Sequence, residues 1–274
     1  MPKPTPKQTR EHNAFLRRQN VYEKKYQRRF YSWLVKMSKN ASSLVSQGDY
    51  SPDIDMSGVD RIYKDLYTDI TLEEAKLTWE QEPKVKGQKD LIDDLASVLF
   101  GVEGNPINIW RRLLNNFITV RISSRITRVQ ETTRQRISVL IERGIANGDG
   151  AEVVARSIRR DQGYNRNRSL AIARTETVTA ANQGKYLAAY TSPYRKEKRW
   201  LPTKDARTRP SHLAMLDTPW IPLEQNFWLA NDDGMLEAAL YPCANTMTAS
   251  NIINCRCDLS TRTVFDNGNP VMKN

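Results

Sequence analysis

Cysteine and long apolar runs are what this sequence has least of. Three cysteines occur among 274 residues, all within the last 32 positions. So few thiols exclude a disulfide framework, and in a reducing compartment they are expected to be free thiols or metal ligands. No apolar run approaches the roughly 18 residues of a membrane-spanning helix, and the first residues lack the apolar stretch of a signal peptide. We therefore expect a protein made in the cytoplasm, with no membrane partner.

The short motifs of several enzyme classes are also absent. The chain has no phosphate-binding glycine loop, no paired-histidine metalloprotease helix and no dinucleotide-binding fingerprint. Hydrophobic residues make up 39% of the chain, which is a small supply for one large core. The composition therefore predicts an elongated or partner-dependent protein of one or two domains.

Positive charge is abundant and unevenly distributed. There are 42 Lys and Arg residues against 31 Asp and Glu, a net charge of +11. The balance is +9 in residues 1–48, −8 in residues 49–105 and +6 in residues 106–147. Basic blocks indicate a polyanionic partner such as DNA, whereas the acidic block is expected to contact protein. The alternative is that the acidic block neutralises its basic neighbours, within one chain or between copies.

Hydrophobic residues recur at helical spacing over most of the first 190 positions. The pattern predicts an extended arm over 1–7, two or three shorter helices in 52–103, and longer helices over 8–45, 106–147, 149–160 and 166–190. After Ser192 and Pro193 the segments become short and tryptophans appear. The predicted fold is mainly α, with an elongated long-helix region over 1–148. A small α+β module lies in the second predicted domain, 149–274.

Local signals predict where some helices begin. Thr71 and Glu74 have the spacing of a capping box, in which each side chain satisfies a free backbone amide. Thr208 is predicted to cap a short helix that contains His212.

Charged and metal-binding residue types gather between positions 197 and 260. One cluster follows Trp200 and contains Asp205, Arg207, Thr208 and His212, and the second is the run Asn254, Cys255, Arg256 and Cys257. Cys and His are the ligands that zinc prefers, so a candidate metal site consists of His212, Cys243, Cys255 and Cys257.

The spacing of the last two cysteines leaves other interpretations open. One residue separates Cys255 from Cys257, and alternate residues of a strand face opposite ways, so a shared metal requires a tight turn. The alternatives are buried thiols, or a cysteine nucleophile assisted by His212 and by Asp205 or Asp217.

Arg174 and Glu176 are charged residues on a predicted helix rich in alanine. Being two positions apart, they point to different sides of the helix and cannot pair well with each other. We expect each to reach another segment, with Asp205 and Arg207 as partners, because a buried ion without a partner is costly. The alternative is that Glu176 is a catalytic carboxylate.

Taken in order along the chain, these motifs resemble the phage head morphogenesis proteins that are similar to protein F of phage Mu. The resemblance covers roughly residues 150–260. The positions that match the family pattern are Arg174, Glu176, Asn182, Trp200, Asp205, Arg207, Thr208, His212, Asp217, Asn254, Cys255, Arg256 and Cys257. Members often have a cysteine where this chain has Arg209, and His-Pro where it has Ile252 and Ile253. These departures favour a hydrogen-bonded structural cluster over a metal site.

The resemblance implies a minor head protein of a tailed phage, with no enzymatic role attached to the pattern. It implies a location in the virion, inside the head near the portal vertex, after synthesis in the bacterial host cytoplasm. The implied partners are the portal protein, the major capsid or scaffolding protein, and packaged double-stranded DNA. The implied role is in procapsid assembly and genome delivery.

Contact with DNA is expected to be independent of base sequence. Phosphate contacts are predicted for Arg156, Arg159, Arg160, Arg166 and Arg168, since no recognition motif is present. Two other functions stay open. One is a metal-dependent hydrolase carried in the head, in which Glu176, Asp205 and His212 would act on a metal-bound water. The other is a non-specific DNA-binding protein.

Overall fold

Long helices precede a small region of short strands, which confirms the predicted fold class. The computed structural model describes residues 4–83 and 106–273, so part of the acidic block and of the helices predicted in 52–103 lies outside the described residues. The described helices are α1 (Pro6–Ser46), α2 (Val59–Trp79), α3 (Pro106–Phe117), α4 (Ser123–Ala146), α5 (Ala151–Arg160), α6 (Gln162–Thr191), α7 (Pro210–Ala214) and α8 (Ala249–Ile252). A π-helical turn, Ile118–Ile122, joins α3 to α4, so the predicted helix over 106–147 is continuous but not uniformly α-helical.

The strands of the described residues form three small antiparallel sheets. Strand β1 (Lys196–Leu201) lies between β2 (Ile221–Pro222) and β5 (Asp258–Thr263). Strands β3 (Phe227–Ala230) and β4 (Leu236–Ala239) form a hairpin, as do β6 (Phe265–Asp266) and β7 (Asn269–Pro270). In the three-stranded sheet, Trp200 lies opposite Leu259, and this register places the end of β1 beside the start of β5.

The starts of two helices differ from the prediction. The segment predicted as an extended arm is already helical from Pro6, because Thr5 and Gln8 form a reciprocal capping box, with hydrogen bonds of 2.8 and 3.2 Å. Conversely, Thr71 and Glu74 cap nothing, since both lie inside α2. Thr71 donates a hydrogen bond to the carbonyl of Ala180 instead, at 3.0 Å.

The short helix α7 also begins differently from the prediction. Its N-cap is Arg209 rather than Thr208, with Pro210 in the first turn. The Thr208 hydroxyl donates to the carbonyl of Thr203, so this side chain closes the preceding loop instead of capping the helix.

The chain divides into two compact units, and each is assembled from separate stretches. Unit 1 consists of Met1–Tyr22, Leu66–Phe117 and Arg174–Asn274, and unit 2 consists of Glu23–Asp65 and Ile118–Ala173. Neither unit ends at residue 148. The predicted boundary between 1–148 and 149–274 therefore describes a change in sequence character, and as a domain boundary it stays a prediction.

Unit 1 is held together by close helix packing and by buried ion pairs. Helix α6 approaches α2 so closely at Gly184 that a Cβ there would overlap the carbonyl of Thr71. Arg18 makes a bidentate pair with the buried carboxylate of Glu74, at 2.7 and 2.8 Å. Lys196 and Glu82 form a second ion pair, in which each side chain is only 4% exposed. Paired charges of this kind avoid the cost of burying an ion alone.

Unit 2 packs aromatic side chains of α1 against the chain that follows it. Phe30 meets Tyr63 edge to face with ring centroids 5.4 Å apart, and the indole of Trp33 donates to the carbonyl of Ser57 at 3.0 Å. Tyr26, Phe30 and Trp33 recur at helical spacing along α1 and are buried, so this side of the helix is a packing face. None of the described helices combines the length and the apolar character that crossing a bilayer requires.

Candidate functional site

Asn182 joins helix α6 to the start of strand β5. Its amide nitrogen donates to the carbonyl of Cys257 at 2.9 Å, and its amide oxygen accepts from the backbone N–H of Leu259 at 2.8 Å. The side chain is fully buried. The side chain of Asn182 therefore gives a partner to one backbone carbonyl and one backbone N–H at the point where β5 begins.

Asp205 and Arg256 join the loop after β1 to the segment before β5. The guanidinium of Arg256 donates to both carboxylate oxygens, at 2.6 and 2.7 Å. The backbone N–H of Arg207 donates to the same carboxylate at 3.0 Å, while the Arg207 side chain stays largely exposed. The Arg256 pair holds the pKa of the Asp205 carboxyl well below its usual range, with the Arg207 N–H adding to the effect.

The structure gives Glu176 and Arg174 partners that differ from those predicted. Glu176 accepts a hydrogen bond from the Tyr67 hydroxyl at 2.7 Å, and both side chains are buried. Arg174 donates to the side-chain oxygen of Asn254 at 3.5 Å. Asp205, the expected partner, is taken by Arg256, because the loop after β1 lies against the segment before β5.

Asn254 is the residue at which the chain turns toward the site. Its φ angle is 58°, in the left-handed region that Asn tolerates better than most residues. Its backbone N–H donates to the hydroxyl of Thr175 at 3.0 Å, which ties this turn to α6. Both Cys255 and Cys257 follow the turn and precede β5, so the strand alternation that argued against a shared site does not apply to them.

His212 lies at the centre of a buried group of ligand-type atoms. Its Nδ1 is 3.3 Å from the sulfur of Cys257 and 3.6 Å from that of Cys255. The ligand atoms of all three residues lie within 4.8 Å of one another. The ring of Trp200 packs edge to face on the imidazole, with centroids 5.4 Å apart, and closes one side of the group.

The third thiol, Cys243, is next to this group. It is fully buried and has a φ angle of 66°, and its thiol donates to the carbonyl of Ile252 at 3.9 Å. Hydrogen bonds from Cys243 and Cys257, and then the neighbouring His212, hold the pKa of the Cys255 thiol well below its usual value. Burial holds the pKa of the Cys257 thiol well above it.

One predicted site residue lies at the edge of this cluster. Asp217 is exposed in the 3-10 turn Met215–Asp217. The preceding carbonyl, that of Leu216, accepts a 2.7 Å hydrogen bond from the buried guanidinium of Arg199. The predicted positions thus form separate groups, namely Arg174 with Asn254, Asp205 with Arg207, Thr208 and Arg256, and Trp200 with His212, whereas Glu176 contacts Tyr67 and Asp217 lies on the surface.

The five arginines predicted to contact DNA lie in unit 2, and they differ in whether their side chains are exposed. Four have exposed side chains, namely Arg156, Arg159, Arg160 and Arg166. Arg168 donates instead to the carbonyl of Val129 at 3.3 Å and to the hydroxyl of Thr132, both on α4. Arg168 is therefore engaged in holding α6 to α4.

Three residues near the site carry no sequence signal that identifies them. The side-chain oxygen of Asn251 lies 3.2 Å from His212 Nε2, and its amide nitrogen donates to Glu237 at 3.0 Å. Tyr67 is 109 positions from Glu176, to which it donates. None of these residues belongs to a sequence motif, so their positions next to the site become apparent only in the folded structure.

The Asp205 pair predicts a measurable dependence of stability on pH. The folded-state pKa of Asp205 lies below the unfolded value of about 3.9, so the pair stabilises the fold above that pH and the effect is lost as the pH falls through the folded-state pKa. We expect Asp205→Asn to lower the free energy of unfolding by about 1 kcal/mol at pH 7, since the pair is partly exposed. The deficit should shrink between about pH 4 and pH 2 in urea titrations.

The exposed Asp233 supplies the control for that experiment. Asp233→Asn removes the same charge from a hairpin turn and should match the parent protein at pH 7. A deficit for Asp205→Asn that is constant at every pH would contradict the assigned role of the carboxylate.

Comparison with known proteins supports the resemblance noted in the sequence. Residues 135–260 match the family model described as Phage Mu protein F like protein. No match was found among curated proteins or among solved structures. The matched region takes in α5, α6, the strands β1 to β4 and the first three residues of β5, and so it includes the whole cluster around His212. The match indicates a phage head morphogenesis protein and a location in the virion.

Proposed function

We propose that this chain, with its Phage Mu protein F like region, is a minor head protein of a tailed phage that binds the portal protein and packaged DNA. The observation that carries the proposal is the family match over residues 135–260, which contains the buried polar cluster. In this proposal the protein acts in procapsid assembly and genome delivery, inside the head near the portal vertex. The major capsid or scaffolding protein is a further expected partner.

The distribution of charge supports contact with DNA. Unit 2 has 19 Lys and Arg residues against 11 Asp and Glu, so it carries +8 of the net charge of +11. On α5, Arg156 and Arg160 line a shallow groove together with Leu140 of α4. Exposed guanidinium groups at a helix surface can contact phosphates without reading bases.

Removing these charges should weaken DNA binding and its dependence on salt. We expect a variant with Gln at Arg156, Arg159, Arg160 and Arg166 to bind duplex DNA at least tenfold more weakly at low salt. The slope of log K against log salt should become shallower by roughly 0.9 for each phosphate that the variant no longer neutralises. Fluorescence anisotropy with two duplexes of unrelated sequence measures both quantities and tests the absence of base recognition.

A matched control removes four exposed charges from unit 1. It places Gln at Arg17, Lys76, Arg195 and Lys204. This control should retain most of the affinity and the slope. Equal losses in the two variants would show that binding follows net charge alone and would remove the α5 arginines from the proposal.

An exposed apolar face on the β3–β4 hairpin supports a protein partner. Trp228 and Leu236 are 59% and 68% exposed, and the neighbouring Met235 is 61% exposed. Exposed apolar patches mark protein interaction sites. Asp232 and Asp233 at the turn are also exposed, so this face would repel DNA. We therefore assign the face to the portal protein.

The hairpin face provides the direct test of portal binding. The purified chain should co-sediment with portal rings, and the double variant Trp228→Ser with Leu236→Ser should bind at least tenfold more weakly, since buried aromatic anchors dominate interface energies. Phe265→Ser is the matched control, because Phe265 is 54% exposed on a different hairpin. No association of the folded parent chain with portal or procapsid would overturn the portal part of the proposal.

The geometry supports a role without catalysis. In the hydrolase alternative, Glu176, Asp205 and His212 share one reaction centre. Glu176 instead accepts from Tyr67, Asp205 accepts from Arg256, and His212 is 1% exposed behind Trp200. Each of the three side chains has a structural partner, which is how polar groups that stabilise a fold are arranged.

A further inference from the structure

We propose that His212, Cys255, Cys257 and Cys243 bind one zinc ion that closes the C-terminal module. The proposal does not depend on the partners assigned above. It rests on the distances among the ligand atoms, on the hydrogen bonds that orient the imidazole, and on the backbone turns that bring the thiols together.

The distances match tetrahedral coordination. With Zn–S of about 2.3 Å and Zn–N of about 2.0–2.1 Å, a tetrahedral ion separates a ligand nitrogen from a ligand sulfur by roughly 3.6 Å. The Nδ1 of His212 is 3.3 Å from Cys257 Sγ and 3.6 Å from Cys255 Sγ. Both nitrogen–sulfur distances are thus close to the one that a shared zinc imposes.

The orientation of His212 leaves Nδ1 free to accept a metal. Asn251 directs its amide nitrogen at two oxygens, the carbonyl of Ala230 at 3.3 Å and the carboxylate of Glu237 at 3.0 Å. Its amide oxygen must therefore face His212 Nε2, which lies 3.2 Å away. Nε2 then carries the proton, and the lone pair of Nδ1 points at the two sulfurs.

Glu237 completes an outer shell of the kind that metal-binding histidines have. Its buried carboxylate accepts from Asn231, from the N–H of Thr248 and from Asn251. Despite its burial, these hydrogen bonds hold the pKa of Glu237 below its usual value, so the carboxylate is charged. A carboxylate that acts through a hydrogen-bonded side chain fixes the tautomer and raises the basicity of the imidazole.

Two unusual backbone positions bring the thiols to the imidazole. Asn254 and Cys243 both have positive φ angles, at 58° and 66°. Such conformations cost free energy in residues other than glycine and persist where the surrounding structure requires them. The thiol of Cys243 is fully buried and lies 3.9 Å from the carbonyl oxygen of Ile252, just before the turn at Asn254, so we assign it as the fourth ligand.

The ligand atoms, sulfur from cysteine and nitrogen from histidine, favour zinc over other metals. Thiolates and one imidazole in a closed, buried tetrahedral site are the ligands of structural zinc. Three thiolates and one divalent cation carry a net charge of −1, so the ion offsets most of the cost of burying the thiolates. Because all four ligands are at most 3% exposed, no position remains open for a substrate, and the role is structural.

Metal analysis of the full chain tests the proposal. The protein purified from zinc-supplemented cells should contain about one zinc per chain, and X-ray absorption should show sulfur neighbours near 2.3 Å with one nitrogen near 2.0–2.1 Å. Cobalt added after chelation should give the ligand-field and thiolate charge-transfer bands of a tetrahedral site, which needs no variant. Cys257→Ser should lose the metal, and His12→Asn, which changes the only other histidine, should retain it.

Variants of the outer shell give a second, independent measurement. Glu237→Gln and Asn251→Ala should lower zinc affinity about 10- to 100-fold in competition with a chelator. Protein without zinc that is folded and also gives no tetrahedral cobalt spectrum would overturn the proposal. So would a disulfide between Cys255 and Cys257 in protein purified under reducing conditions, or a zinc content unchanged in Cys257→Ser.

Discussion

Replacing Asn182 with Ala is expected to lower the free energy of unfolding by about 3–5 kcal/mol. The change removes one buried amide but leaves two backbone groups without partners, the carbonyl of Cys257 and the N–H of Leu259. Each unsatisfied buried group costs about 1–3 kcal/mol, and a small cavity adds to the loss. Urea unfolding followed by tryptophan fluorescence measures the difference, since Trp200 lies beside this junction.

Asn167 on the same helix is the matched control. It is exposed, so Asn167→Ala should change the free energy of unfolding by less than about 0.5 kcal/mol. Asn182→Asp keeps the accepting oxygen but sets a carboxylate against the Cys257 carbonyl, and it should be destabilised nearly as much as the Ala variant. A loss below about 1 kcal/mol in Asn182→Ala would contradict the role of Asn182 as the link between α6 and β5.

Replacing Glu82 with Ala is expected to cost about 3–5 kcal/mol, because it leaves the ammonium of Lys196 buried without its counter-charge. Both side chains are 4% exposed, and Lys196 then keeps its hydrogen bond to the hydroxyl of Thr263, at 2.7 Å. Burial already lowers the pKa of Lys196, so the variant should be less unstable at alkaline pH, where the amine becomes neutral. Unfolding curves at two pH values measure both effects.

A double variant separates loss of charge pairing from loss of packing. Replacing Glu82 with Leu and Lys196 with Met removes both charges and keeps similar volume, so it should recover most of the stability. Glu80→Ala is the control, because the neighbouring Glu80 is exposed. A double variant as unstable as Glu82→Ala would show that the hydrogen bonds of Glu82, and not its charge, support unit 1.

The positions of the long helices could be predicted from the sequence, but the residues at which some of them begin could not. The apolar residues of α1 and α4 have a helical period, and burial of one face follows directly from it, whereas α6 is buried on all sides over residues 175–184. Thr71 and Glu74 show the limit of such reasoning. They have the spacing of a capping box, yet each bonds to a distant segment, because tertiary contacts outweigh a local propensity.

Part of the candidate site was predictable because its motifs recur in a known order. Asn182, Asp205, His212 and Arg256 were identified, and the structure gives each of them a buried or hydrogen-bonded partner. Which residues pair was not predictable, because the pairs span long separations. Glu176 and Tyr67, for example, are 109 positions apart.

The alternation of side chains along a strand is a misleading guide at the last two cysteines. Cys255 and Cys257 would face opposite ways in a strand, but the left-handed turn at Asn254 places both before β5 begins. A positive φ angle at Asn has only a weak sequence signal. Glu237 and Asn251, which orient His212, have none, because ordinary polar residues become an outer shell only when the fold positions them.

A cryo-EM reconstruction of the portal vertex in heads that contain this protein tests the central claim most directly. The account predicts density for the chain in contact with the portal ring, with Trp228 and Leu236 at the protein interface and the arginines of α5 facing packaged DNA. Purified, DNA-filled heads that lack the chain, or that hold it away from the portal, would contradict the account.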